Sequence, residues 1–207
     1  MLLEAADSQL LLLDYQVRLL PAIHEGSLVL ANAQRLAQLA RLFSVPVLLA
    51  EENPASLGGT ETQLDTLVRQ AGGKTFAKMS FSAVAAGLIE LLQPSAPPKS
   101  RVQGNARSLP KHLHQPAPAT PQRSSVVIAG CEAHVCLLQT ALELLEQEFE
   151  VWVVTDACGS RSERNRDAAF DRLAAAGAEL VSTEMVAFEW LRSADHPALA
   201  DVLALVK

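Results

Sequence analysis

Cys136 stands in the segment Gly130-Cys131-Glu132-Ala133-His134-Val135-Cys136, behind the apolar run Val126-Val127-Ile128-Ala129 and ahead of Leu137-Leu138-Gln139-Thr140-Ala141-Leu142-Glu143-Leu144-Leu145. This order predicts a buried strand, a tight turn opened by glycine, and a helix with Cys136 in its first turn. A helix N-terminus brings unpaired N–H groups and positive partial charge to the sulfur, which is how a nucleophile is presented. The same setting favours thiolate, so the sequence predicts a depressed pKa for Cys136. Asp14 closes a second apolar run, which reads as a buried strand from Ser8 ending in a charge.

Other chemistries fit less well. Cys131, His134 and Cys136 form a C-x₂-H-x-C cluster, but a structural zinc needs a fourth ligand in a closed tetrahedral site. No other Cys/His pair stands at ligand spacing, and His112 and His114 lie in a proline-rich stretch, so no metal is expected. Cys131 and Cys136 could form a redox pair, yet their C-x₄-C spacing is not that of thioredoxin-like sites. Gly58-Gly59 and Gly72-Gly73 lack the lysine spacing of a P-loop, and no cofactor is expected.

The elements that must position these residues alternate along the chain. Helices are predicted over Ser27–Phe43, Thr62–Ala71, Ser82–Leu92, His134–Phe149, Ser162–Ala176 and His196–Val206. Strands are predicted over Ser8–Asp14, Val45–Ala50, Thr75–Met79, Val126–Ala129, Glu150–Val154 and Glu179–Ser182. Strands separated by helices imply an α/β architecture: a doubly wound, six-stranded, mostly parallel sheet in a three-layer α/β/α stack. Ligands of such sheets bind at the carboxyl ends of the strands, where Asp14 and the segment leading to Cys136 can meet across one crevice. Pro94 to Ser124 interrupts the alternation. It holds seven of the eleven prolines and five basic residues with no acid, and reads as a surface loop inserted into a single domain of residues 1–207.

Composition narrows the partners. A formal charge of −6 argues against nucleic acid or an anionic membrane as partner. No apolar run approaches the roughly 18 residues of a spanning helix. Glu4 and Asp7 precede the short run Leu10 to Leu13, unlike an ordinary signal peptide. Three cysteines do not make a disulfide framework, so a cytoplasmic setting is expected.

Three pieces together resemble the isochorismatase-like cysteine hydrolases. They are Leu11-Leu12-Leu13-Asp14-Tyr15-Gln16, then Phe76-Ala77-Lys78-Met79-Ser80-Phe81-Ser82, and the Gly130–Cys136 segment. Asp156-Ala157-Cys158-Gly159-Ser160-Arg161 resembles the loop after the family's fifth strand, and the branch of unassigned substrate is the nearest in motif. The resemblance spans nearly the whole chain except Pro94 to Ser124. It implies a Rossmann-like hydrolase fold and a triad of Asp14 as base, Lys78 as electrostatic support and Cys136 as nucleophile. It also implies an oxyanion hole from the backbone N–H groups of Glu132 and Cys136, and a cis peptide between Cys131 and Glu132. Gln16, Phe81 and His134 are candidate pocket residues, and the substrate is a small molecule. A homo-oligomer, dimer to octamer, is implied as well.

The family's nicotinamidases carry an Asp-x-His-His metal cluster after the second strand, whereas Ala50-Glu51-Glu52-Asn53-Pro54 has no histidine. The family's true isochorismate hydrolases tend to lack the cysteine. What remains is metal-independent hydrolysis of an amide- or carbamoyl-type C–N bond through a covalent Cys136 intermediate. The alternative is a catalytically weak assembly scaffold on the same fold.

Overall fold

The computed structural model describes residues 2–93 and 123–207. Its centre is strand β1 (Ser8–Leu13), buried at every position. A strand covered on both faces reads as a continuous apolar run rather than an alternating one, which is why Leu10 to Leu13 sit there. β2 (Val47–Glu52) and β4 (Ser125–Gly130) flank β1, and β3 (Lys74–Lys78), β5 (Glu150–Val154) and β6 (Glu179–Val181) complete the sheet. The strand order is β3-β2-β1-β4-β5-β6, and all five ladders are parallel.

Helices cover both faces of this sheet. α1 (Gly26–Leu42) buries Val29, Ala33, Leu36, Ala37, Leu39 and Ala40, the stripe that a period of 3.6 residues presents to a core. α2 (Pro54–Leu57) is one short turn after β2, and α3 (Thr62–Gln70) packs beside α1. α7 (Thr183–Leu191) and α8 (Leu199–Val206) lie against α1 as well. On the other face α5 (Leu138–Glu146) packs against α6 (Glu163–Ala175).

Three elements depart from the sequence reading. The helix expected over Ser82–Leu92 is broken: a 3₁₀ turn at Val84–Ala86 ends at Gly87, whose φ is 88°, before α4 (Leu88–Leu92) begins. Glycine adopts this left-handed conformation without the steric cost of a Cβ and so divides the helix. The segment Thr183–Leu191, assigned to no element from sequence, is α7, capped by the Ser182 hydroxyl accepting from the Met185 N–H at 3.2 Å. β2 reaches Glu52 rather than stopping at Ala50, because β3 pairs with it as far as Glu52 opposite Lys78. The expected loop over Pro94–Ser124 lies outside the described residues except for Arg123 and Ser124.

The sequence order of the strands reverses between β1 and β4. Chains leaving two such neighbours diverge to opposite faces and open a crevice at the carboxyl edge. Asp14 follows β1 and Cys131 follows β4, so both border that crevice. The strands are close there. A Cβ on Gly130 would lie 2.5 Å from the Leu13 carbonyl oxygen, so only glycine fits.

Candidate active site

Asp14 leaves β1 in the left-handed region, with φ of 59°, a conformation that aspartate tolerates better than most side chains. Its N–H donates to the Ala50 carbonyl at 3.1 Å, and its side chain is wholly buried. Asp14 Oδ1 accepts from the Glu52 N–H at 2.9 Å, and Oδ2 accepts from Lys78 Nζ at 2.9 Å. Lys78 comes from the last residue of β3, across β2, and its side chain is also fully buried.

Cys136 lies in a single π-helical turn, Ala133–Leu137, that precedes α5, rather than in the first turn of a regular helix. The residue is 6% exposed. The peptide between Cys131 and Glu132 is cis. The Ala133 N–H donates to the Gly159 carbonyl at 2.8 Å, which ties the turn to the chain after β5. The Glu132 N–H has no backbone acceptor among the described residues.

One member of the cluster was not singled out from sequence. Glu52 accepts from Lys78 Nζ through Oε2 at 2.9 Å. One ligand atom each of Asp14, Glu52 and Cys136 lie within 4.8 Å of one another. Such a set could hold a cation, and here the Lys78 ammonium bonds both carboxylates. The signal was the register: once β2 extends past Ala50, Glu52 falls opposite Lys78.

The remaining candidates are distributed around this centre. Gln16 is completely buried. Its amide donates to the carbonyls of Glu52 at 2.9 Å and Gly58 at 2.6 Å, and accepts from the Glu52 N–H at 3.0 Å. It therefore braces the end of β2. The Phe81 ring is exposed while its carbonyl accepts from Lys78 Nζ at 3.3 Å. His134 turns toward Ser160 Oγ, 3.0 Å from Nδ1, and Asn165 Nδ2, 3.3 Å from Nε2. Cys131 and Cys158 are both buried. A groove of about 550 Å³ opens beside β3, lined by Ala77, Lys78, Met79, Ser80, Ala85 and Ala86.

Burial and charge set the protonation of the cluster. Burial lifts the Asp14 carboxyl above its ordinary value, and the Lys78 ammonium offsets this only in part. Burial pulls Lys78 down, but the Asp14 and Glu52 carboxylates outweigh it and its pKa is raised. The Cys136 thiol is pushed up to about 12, by burial first and then by the Asp14 carboxylate. The depressed thiol pKa expected from sequence is thus corrected: the facing carboxylates and burial outweigh the turn's dipole and Lys78. The resting group is a neutral thiol beside a carboxylate more basic than usual. That pairing suits proton transfer during attack, not a standing thiolate.

Comparison with known proteins gives the family and the fold. The family model of the isochorismatase domain matches residues 117–185. The chain is 34% identical over 200 residues to isochorismatase domain-containing protein 2 of Bos taurus, spanning 97% of this chain and 83% of that protein. Its Homo sapiens counterpart is 32% identical over the same shares of the two chains. The solved structure of MAR1 ribonuclease from Caenorhabditis elegans superposes with a TM-score of 0.80 at 27% identity, covering 100% of this chain and 92% of that one. The Escherichia coli YcaC gene product, described as an octameric hydrolase of unknown specificity, has the same fold, with a TM-score of 0.80 at 24% identity over 99% and 90% of the two chains. With relatives above 30% identity matched over 97% of this chain and 83% of their own length, this chain belongs to the isochorismatase family of hydrolases.

Proposed function

We propose that the protein is a metal-independent cysteine hydrolase that cleaves a small amide- or carbamoyl-type C–N bond. One observation carries the reading: Cys136 and the Asp14 carboxylate share one buried cluster, with Lys78 Nζ 2.9 Å from Asp14. In this reading Asp14 takes the thiol proton as Sγ attacks the carbonyl carbon. Lys78 then stabilises the anionic charge that the attack creates. The tetrahedral oxyanion accepts from the N–H groups of Glu132 and Cys136. Collapse breaks the C–N bond, Asp14 returns its proton to the departing amine, and water hydrolyses the thioester.

The nematode neighbour is named a ribonuclease. For this chain, a net charge of −6 and a recessed thiol favour a small uncharged substrate over a polyanion. The test is ammonia release from a panel of small primary amides, ureas and carbamates. The expected result is turnover that falls by about 10²–10⁴-fold in Asp14→Asn and vanishes in Cys136→Ala. The reading is overturned by a panel without turnover together with iodoacetamide labelling in which Cys136 reacts no faster than Cys131 or Cys158.

A further inference from the structure

We propose that Glu52 determines specificity at this site, admitting reacting groups that are neutral or cationic and rich in N–H donors and turning away carboxylates. This deepens the reading of Cys136 as nucleophile and rests on it. The first observation concerns Lys78, the cation that an anionic substrate would seek. An ammonium has three N–H donors. Lys78 Nζ already faces four acceptors: Asp14 Oδ2 and Glu52 Oε2 at 2.9 Å each, the Phe81 carbonyl at 3.3 Å and the Ser80 carbonyl at 3.4 Å. Nothing of it is left for a ligand.

The second observation concerns Glu52 itself. Its Oε2 is held by Lys78, while Oε1 takes no hydrogen bond from the described residues, and the side chain keeps 12% exposure. It offers an open acceptor. A carboxylate oxygen of Glu52 lies within 4.8 Å of the Cys136 sulfur, and a carbon under attack sits about 3–3.5 Å from that sulfur. A substituent on that carbon therefore meets the Glu52 carboxylate directly. An N–H group there gains a charge-assisted hydrogen bond, whereas a carboxylate meets a like charge.

The other ionisable groups near the turn do not reverse this balance. Glu132 accepts from Arg161 Nε at 3.0 Å, and both nitrogens of His134 face Ser160 and Asn165. Asp14 and Glu52 are thus two carboxylates on one ammonium. The cluster carries a net negative charge before substrate arrives.

Two alkylating agents that differ in this one group test the idea. In both, Sγ attacks the methylene carbon, an S–C bond forms as the C–I bond breaks, iodide departs and the thiol proton passes to Asp14. Iodoacetamide presents a carboxamide and iodoacetate a carboxylate. Rates at Cys136 are read by peptide mass spectrometry and compared with free cysteine under the same conditions. The expected preference for iodoacetamide exceeds that of free cysteine by about tenfold or more, the scale of a close like charge at a partly buried site. Glu52→Gln, isosteric and able to keep the Lys78 contact, reduces the preference by about tenfold. Glu52→Asp, which retains the charge, keeps most of it, and the exposed control Glu146→Gln leaves it unchanged.

A wild-type preference equal to that of free cysteine overturns the proposal. So does a preference that Glu52→Gln leaves intact. Should that variant not fold, the wild-type and Glu52→Asp ratios still decide. A Cys136 that takes neither reagent overturns the nucleophile reading itself, a different result from equal rates with both.

Discussion

At the scale of single residues, the site is a charge problem solved by one lysine. Lys78 bonds both Asp14 and Glu52 and offsets part of their charge in a region where its own side chain and that of Asp14 have no solvent contact. Removing one partner of a buried pair leaves uncompensated charge, so Lys78→Met is expected to lower unfolding stability by roughly 3–5 kcal/mol. Urea denaturation at pH 7 measures this, and a loss below 1 kcal/mol would contradict the buried network. Asp14 was legible from sequence because it closes an apolar run with a charge, and Cys136 because it stands where a glycine turn leads from an apolar run into a helix. Glu52 was not, because its role arises from a neighbour across a strand ladder. Nothing in Glu51-Glu52 says which carboxylate turns inward: Glu51 instead accepts from Thr60 Oγ1 at 2.8 Å and from the Thr60 N–H at 2.7 Å.

At the scale of elements, the close approach of β1 and β4 brings the two catalytic candidates into one crevice. Gly130 permits it. A methyl group there would meet the Leu13 Cβ at 2.6 Å and its carbonyl at 2.5 Å, and neither neighbour can withdraw without breaking the ladder. Gly130→Ala is therefore expected to cost about 1–3 kcal/mol, in the range of overpacked cores, and to slow Cys136 alkylation by displacing the following turn. Thermal unfolding and alkylation rates check both effects; unchanged values for both would show that the strands can separate freely. The periodicity of the Ser162–Ala176 region located α6 to within a residue at each end. Periodicity could not see Gly87 dividing its helix, since an isolated glycine is tolerated in many helices.

At the scale of the whole molecule, several buried acids favour the protonated state together. Tyr15 is buried, with its hydroxyl donating to the Ala157 carbonyl at 2.5 Å, and burial raises its pKa well above the ordinary value. Burial likewise raises Cys131 well above its ordinary value and pushes Cys158 up to about 12. Between pH 9 and about 12 the unfolded chain has lost the Cys158 proton while the folded chain retains it. The folded state then binds more protons, so stability falls as pH rises through this window. Cys158→Ala removes that contribution, so the stability difference between the two proteins should shift by about 1.4 kcal/mol per pH unit there. Denaturant melts at pH 8, 9 and 10 test it, and a pH-independent difference would refute it. The homo-oligomer expected from the family resemblance belongs to this scale too. Met79 and Phe81 are exposed beside β3, at the sheet's edge. Light scattering should return at least twice the 22.2 kDa of one chain, and a monomer mass would refute it.

The amino-acid order made the class of fold legible and, together with the family resemblance, marked Asp14, Lys78 and Cys136 as candidate groups of the site. Apolar runs of strand length alternating with helical stripes admit few stable arrangements, and strand ends must lie at one edge of a parallel sheet. The electrostatics of the cluster, by contrast, came from the packed strands. Whether a thiol is lowered or lifted depends on the summed distances to charges brought in by different strands, and on how much water those strands exclude. The helix N-terminus visible in the sequence argued for a lowered thiol. Burial of the sulfur argues the other way most strongly, the Asp14 carboxylate adds to it with a smaller push from Glu52, and together they outweigh Lys78, which the β1–β2–β3 ladders bring to the same cluster.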